Sequence, residues 1–186
     1  MHYIRQLLWS SCLSLGLIAS SMAEESMMID KFYAQPELRW KYFSDQVMGG
    51  VSEGRAEFEA EQGAPVVRLS GQVSTANNGG FIQIRRDIAK GSVDSATGVY
   101  LTVRGNGQLY YLHLRTSRSL MPWQYYQASF QTSEQWQTIQ LPLSAFERSS
   151  SWLSKSPKAS SLRNLGIVAF GRDHIADLEI AEIGFY

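Results

Sequence analysis

From residue 40 onward the chain alternates apolar and polar positions with a period of two. Ala56, Phe58 and Ala60 alternate with Arg55, Glu57 and Glu59. Val99, Leu101 and Val103 alternate with Tyr100, Thr102 and Arg104. Leu112 and Leu114 alternate with Tyr111, His113 and Arg115, and Tyr126, Ala128 and Phe130 with Tyr125, Gln127 and Ser129. Successive side chains of a strand point to opposite faces, so each run predicts a strand with one face turned to a core. Residues 66–73, 81–86, 136–141, 166–170 and 178–186 read as further strands.

Gly49-Gly50, Gly63-Ala64-Pro65, Asn77-Asn78-Gly79-Gly80 and Gly105-Asn106-Gly107 separate these runs. Glycine and asparagine tolerate the positive φ that tight turns demand. Short strands at this spacing predict an all-β protein, a β-sandwich or jelly roll. Only residues 144–146 and 161–165 read as helical turns. Residues 147–161 form the one long loop, rich in serine and carrying Trp152.

The N-terminus has a different pattern. Arg5 precedes an apolar run over residues 7–19, and Ser21 and Ala23 supply small residues for a cleavage site. This is the layout of a secretory signal peptide over residues 1–23. It leaves a lead-in over residues 24–39 and one domain over residues 40–186. The run is shorter than the roughly 20 residues a bilayer span needs, so the processed chain is expected to be periplasmic or secreted and not an integral membrane protein. The one cysteine, Cys12, lies in that run, so the remainder would be stabilised by its core and not by disulfides. The chain carries 17 basic and 17 acidic residues, and loss of Arg5 leaves 16 basic against 17 acidic. Such a balance gives no reason to expect nucleic acid as a partner.

Catalytic signatures are sparse. Only His113 and His174 follow the leader, and there is no His-x-x-His, His-Glu-x-x-His or Gly-x-Ser-x-Gly string and no phosphate-cradling glycine loop. No transition-metal site is expected. Asp45 enters the Val47-Met48-Gly49-Gly50-Val51-Ser52 turn. It can fix that turn by accepting backbone N–H groups, or it can ligate Ca²⁺. The structural role is the preferred reading, and no cofactor is expected.

Trp40, followed by Ser44-Asp45-Gln46-Val47-Met48-Gly49-Gly50-Val51-Ser52, resembles the opening motif of the complex I intermediate-associated protein 30 family. Asn77-Asn78-Gly79-Gly80-Phe81 with Arg85 is similar to its second motif. Gly98 through Arg104-Gly105-Asn106-Gly107 and Tyr110 resembles the third, and Trp136, Leu141-Pro142-Leu143 and Phe146 complete the set. The resemblance implies a galactose-binding-like jelly-roll sandwich akin to certain carbohydrate-binding modules. It also implies kinship with chaperone-like factors that help assemble respiratory complex I. An exported chain would not meet those assembly intermediates, so the fold carries over better than the role.

If the aliphatic positions face inward, their neighbours gather outward: Gln83 and Arg85, Tyr100 and Arg104, Tyr111, His113 and Arg115, and Tyr125. Aromatic rings stack on sugar faces, and arginine forks hold carboxylates or hydroxyls, so adjacent strands could assemble these into one ligand-binding patch. The alternative is an ordinary solvated face with cross-strand Tyr–Arg pairs. Trp123 and Trp152 are candidate exposed contacts, and Trp136 and Phe146 candidate core residues. The sequence therefore points to a non-catalytic binding or assembly module acting on a protein partner or envelope complex. A glycan-binding module is the alternative, and a polysaccharide-acting enzyme the second. Mass spectrometry of the exported protein is expected to find Glu24 as its N-terminus; an intact Met1 in cytoplasmic protein overturns the export reading.

Overall fold

The computed structural model describes residues 27–186, so the leader, Arg5 and Cys12 lie outside the described residues. Twelve strands follow one another: β1 (Met27–Asp30), β2 (Trp40–Ser44), β3 (Glu53–Glu61), β4 (Ala64–Val73), β5 (Phe81–Asp87) and β6 (Gly98–Gly105), then β7 (Leu109–Thr116), β8 (Tyr126–Gln131), β9 (Gln137–Pro142), β10 (Glu147–Arg148), β11 (Leu162–Phe170) and β12 (His174–Phe185). They form two six-stranded sheets. The first has the order β3-β4-β12-β6-β9, with β1 beside the end of β12; the second has the order β10-β8-β7-β11-β5-β2. Ladders in both are antiparallel, as in β7–β8 and β6–β12.

The alternating aliphatic positions meet between the sheets. Leu69, Leu101, Val103, Leu178 and Ile180 from the first sheet pack against Ile82, Ile84, Leu112, Leu114 and Ile167 from the second, all fully buried. Burying each such side chain contributes roughly 1.5–3 kcal/mol. This is the β-sandwich that the period of two predicts. Residues 161–165 are a correction: one 3-10 turn covers Ala159–Ser161, and Leu162 already begins β11. The lead-in joins the sandwich. Its β1 pairs with β12, and buried Asp30 receives Arg39, Arg86 and the Trp40 indole N–H, the last at 2.9 Å. Pro142, which has no N–H to give a ladder, ends β9 on the outer edge of the first sheet.

One end of the sandwich is closed by Asp45, which is fully buried. Its Oδ1 accepts the Ser52 N–H at 2.9 Å, and its Oδ2 accepts the Ser52 hydroxyl and the N–H groups of Gly80 and Phe81. The Ser52 hydroxyl oxygen in turn accepts the Ser74 N–H at 3.0 Å. Ser52 and Ser74 flank strands of the first sheet, whereas Asp45, Gly80 and Phe81 belong to the second. The four donors occupy the carboxylate as in the turn-fixing role, and among the described residues no group of three or more His, Cys, Asp or Glu is placed to hold a metal.

The glycines of the two motifs follow from this. A Cβ on Gly50 or Gly79 would fall on the Asp45 carboxyl group. Neither needs a positive φ, so close approach and not backbone handedness requires glycine there. Gly49 (φ 90°) and Gly80 (φ 126°) do adopt left-handed conformations, as do Asn77 (φ 57°) and Asn78 (φ 60°). Met48 leaves the turn with its side chain exposed.

Burial pushes the Asp45 pKa up, but the donors from Gly80, Ser52 and Phe81 outweigh it and hold the carboxyl below its ordinary value. A depressed folded-state pKa adds stability that is present above the unfolded value and lost as pH falls through the folded one. Asp45→Ala is expected to lower the unfolding free energy by about 3 kcal/mol, because buried donors lose their acceptor. Asp45→Asn should remove part of the loss of stability below about pH 4. Urea denaturation from pH 7 to pH 2.5 measures both; a D45A variant as stable as wild type overturns the closing role.

Candidate functional site

Strand register assigns the outer face of the second sheet. Phe43, Gln83, Val168, Tyr111 and Ser129 lie in one cross-strand row, and Lys41, Arg85, Gly166, His113 and Gln127 in the next. Residues in register share a face, and their alternates Ile82, Ile84, Leu112 and Ile167 are buried in the core. From β5 to β8 the rows span three strand spacings, roughly 14 Å.

Aromatic rings fill the middle of this face. His113 stacks on Tyr125 at 4.2 Å between centroids and 15° between planes, and Phe170 meets His113 edge-on at 5.4 Å. Tyr111 adds a further edge contact to Phe170 at 5.7 Å. Such offset and edge contacts each contribute about 0.5–1.5 kcal/mol beyond burial and hold the rings in fixed orientations. Tyr125 precedes β8 and is placed by backbone, its N–H donating to Ser149 Oγ at 2.9 Å. Beside the rings, the Arg85 guanidinium lies over Phe43, 4.4 Å from the ring centroid. Arg115 donates through one nitrogen to the Ser119 and Met121 carbonyls, both at 2.9 Å. That fixes the loop carrying the exposed side chains of Leu120, Met121 and Trp123.

The polar atoms of this face are under-satisfied. His113 Nε2, Arg115 Nε and Gln127 Oε1 are shielded from solvent without a hydrogen-bond partner. Buried polar groups are normally paired, so these three are exceptions within one face. Burial pushes the His113 imidazole down to about 3, so it is neutral at physiological pH. Burial likewise raises the Tyr125 hydroxyl. It lowers Arg115, and the positive charge of Arg85 lowers it further.

Six of the eight sequence-predicted site residues therefore assemble here: Gln83, Arg85, Tyr111, His113, Arg115 and Tyr125. Tyr100 and Arg104 do not. Both belong to β6, in the other sheet, so a single patch containing Arg85 and Arg104 does not exist. Tyr100 lies over Gly184, where a Cβ would meet its ring, and its hydroxyl donates to Glu182 at 2.8 Å. Arg104 is held by Glu61 at 2.9 Å and by Glu179, and stacks on Trp136 at 4.9 Å. Trp136 is accordingly a surface residue and not part of the core, whereas Phe146 is buried. The period of two sorts side chains within a strand and is silent on which sheet a strand joins. Sequence reasoning missed Phe43 and Phe170, although the alternation of Phe170 with Ile167 and Ala169 would have placed it outward.

His113 and His174 lie on different sheets. A cavity of about 270 Å³ beside Arg104, Glu134, Asp177 and Glu179 is polar and sits away from the aromatic cluster. Among the described residues no helix is long and apolar enough to cross a membrane.

Solved structures share this antiparallel two-sheet fold. The family 11 carbohydrate-binding module from Clostridium thermocellum, in complex with a β-1,3-1,4-mixed-linked tetrasaccharide, superposes with a TM-score of 0.69 at 13% identity, over 86% of this chain and 94% of that one. The family 30 module of the cellulosomal cellulase Cel9D-Cel44B of the same organism reaches 0.55 at 12% identity, over 79% and 90%. A portion of an exo-β-agarase, 24% of that chain, matches 86% of this one with a TM-score of 0.57 at 12% identity. The sequence matches the complex I intermediate-associated protein 30 family over residues 31–176, and the chain belongs to that family. No curated protein matches it.

Arg104→Ala is expected to cost about 1 kcal/mol of stability, as a partly exposed ion pair does, and to leave any binding at the second sheet unchanged. A lowered histidine pKa means that the unfolded chain takes up the proton first, so stability falls as pH drops from about 6.5 towards 3. His113→Gln should flatten that slope. Ring NMR shifts of His113 should stay those of the neutral imidazole down to pH 4.5; titration near 6.5 overturns the burial argument.

Proposed function

We propose that this chain is a non-catalytic glycan-binding module, with the outer face of the second sheet as its binding surface. One observation carries the reading: Tyr111, His113, Tyr125 and Phe170 form a fixed aromatic cluster beside Arg85 and Arg115, which make no ion pair among the described residues. The C–H face of a pyranose is apolar and its rim is polar, so it suits rings flanked by forked donors. The carbohydrate-binding modules that share the fold support this reading. The family's assembly factors support non-catalytic binding in general. The N-terminal leader pattern would deliver the module to the cell envelope, where glycans are accessible.

A protein partner is the second reading, and one observation favours it. Trp123 and Trp152 are 62% and 88% exposed, on loops joined by the Ser149 hydroxyl bond to the Trp123 carbonyl. Exposed apolar clusters of this kind mark interaction sites. A glycan array beside a pull-down from envelope extract separates the two. Tyr125→Ala is expected to weaken glycan binding at least tenfold, about 1.4 kcal/mol, while the domain stays folded with a melting temperature lowered by a few degrees for the lost ring contacts. Protein capture that survives Y125A but is lost in a Trp123→Ala/Trp152→Ala double variant, with no glycan bound, overturns the glycan reading in favour of the second.

A further inference from the structure

Resting on that reading, we propose that the glycan is acidic: a chain bearing carboxylate or sulfate groups, held by Arg85 and Arg115 while its sugar rings lie against Tyr125, His113 and Phe170.

The argument is one of uncompensated charge. Several arginines elsewhere have carboxylate partners, whereas Arg148, Arg163 and Arg172, like Arg115, donate to uncharged oxygens. Arg39 and Arg86 share Asp30, Arg68 forks onto Asp177 with two bonds of 2.8 Å, and Arg104 has Glu61 and Glu179. Arg85 and Arg115 have no ion pair among the described residues. Arg85 rests only on the Phe43 ring, and Arg115 meets only carbonyl oxygens. The two cations are close enough that Arg85 disfavours the charge on Arg115. Lys41 stands in register with Arg85 and reaches only the Glu37 carbonyl, at 3.3 Å.

Two acids belong to the strands of this sheet: Glu147, on the two-residue edge strand β10, is in register with Gln127, and Asp87, at the end of β5, lies in the row of Asn164 and Arg115; neither makes an ion pair among the described residues. Between them His113 is neutral and adds no charge. Like charges gathered without a counter-ion repel, and the arrangement becomes favourable when an anion joins them. Guanidinium forks match carboxylate and sulfate oxygens in shape as well as charge. Gly166 stands at the centre of the row between Arg85 and His113, and the Gln83 amide lies over it, its Oε1 3.1 Å from where a Cβ would stand.

Calorimetry with the processed chain tests this. Oligogalacturonate is compared with its methyl ester, which keeps the backbone and removes the charge. Sulfated galactan oligomers, neutral mixed-linked β-glucan and a single-stranded oligonucleotide complete the set. The acidic oligomer is expected to bind at least tenfold tighter than its ester and to weaken several-fold between 50 and 500 mM NaCl. Arg85→Gln, whose guanidinium rests on Phe43, should bring the acid and its ester to equal affinity. Preference for the carboxylated series, the sulfated series or both supports the anion requirement and names the group. Equal binding of acid and ester, or a preference that survives R85Q, overturns the inference and leaves the glycan reading standing. Tighter binding of the oligonucleotide overturns it in favour of general polyanion capture. Failure of every saccharide to bind overturns both.

Discussion

The buried carboxylate of Asp45 is the constraint on which one end of this sandwich depends. It collects the Ser52, Gly80 and Phe81 donors, and Ser52 passes the connection on to Ser74. Two sheets whose hydrophobic faces merely attract could slide, because the hydrophobic effect has no direction. Hydrogen bonds to a single buried anion fix them in one relation. The Met-Gly-Gly-Val-Ser and Asn-Asn-Gly-Gly-Phe strings exist to make that anion reachable: Gly50 and Gly79 leave room for it, and Gly80 turns its N–H towards it. The family's most specific motifs are thus explained by folding alone, without a ligand.

With both motifs absorbed by the fold, the ligand-binding candidates lie elsewhere. The two outer faces differ in how their charges are treated. On the first sheet Arg104 and Arg68 are closed by Glu179, Glu61 and Asp177, and Tyr100 covers a glycine. That surface is complete in itself. On the second, Arg85 and Arg115 flank a rigid aromatic cluster, and three shielded polar atoms lack partners. The proposed binding surface is the face whose arginines have no ion pair among the described residues.

Membership of the complex I intermediate-associated protein 30 family and likeness to carbohydrate-binding modules are compatible, because a sandwich of this kind presents an outer face that either role can use. The exposed tryptophans of the two joined loops lie at one end of this face and not within its aromatic cluster.

The sequence by itself determined the strands and their inward residues. Alternation at residues 99–103, 111–115 and 126–130 is a local property, dictated by the pleat, and the core residues follow from it. It also exposed the turn motifs and made Asp45 the candidate for holding them. What only the tertiary structure decided is which strands are neighbours. Arg85 and Arg104 have the same local signature, an arginine alternating with aliphatics beside an aromatic. One lies next to His113 across Gly166, and the other is locked to Glu179 on the opposite sheet. Pairing of β5 with β11 and of β6 with β12 joins segments some 80 residues apart, through backbone hydrogen bonds that carry no side-chain code. Trp136 shows the same limit, since its placement outside the core depends on the Arg104 that stacks on it. A period of two states which side chains share a strand's face; only the closed sandwich states which strands share a sheet.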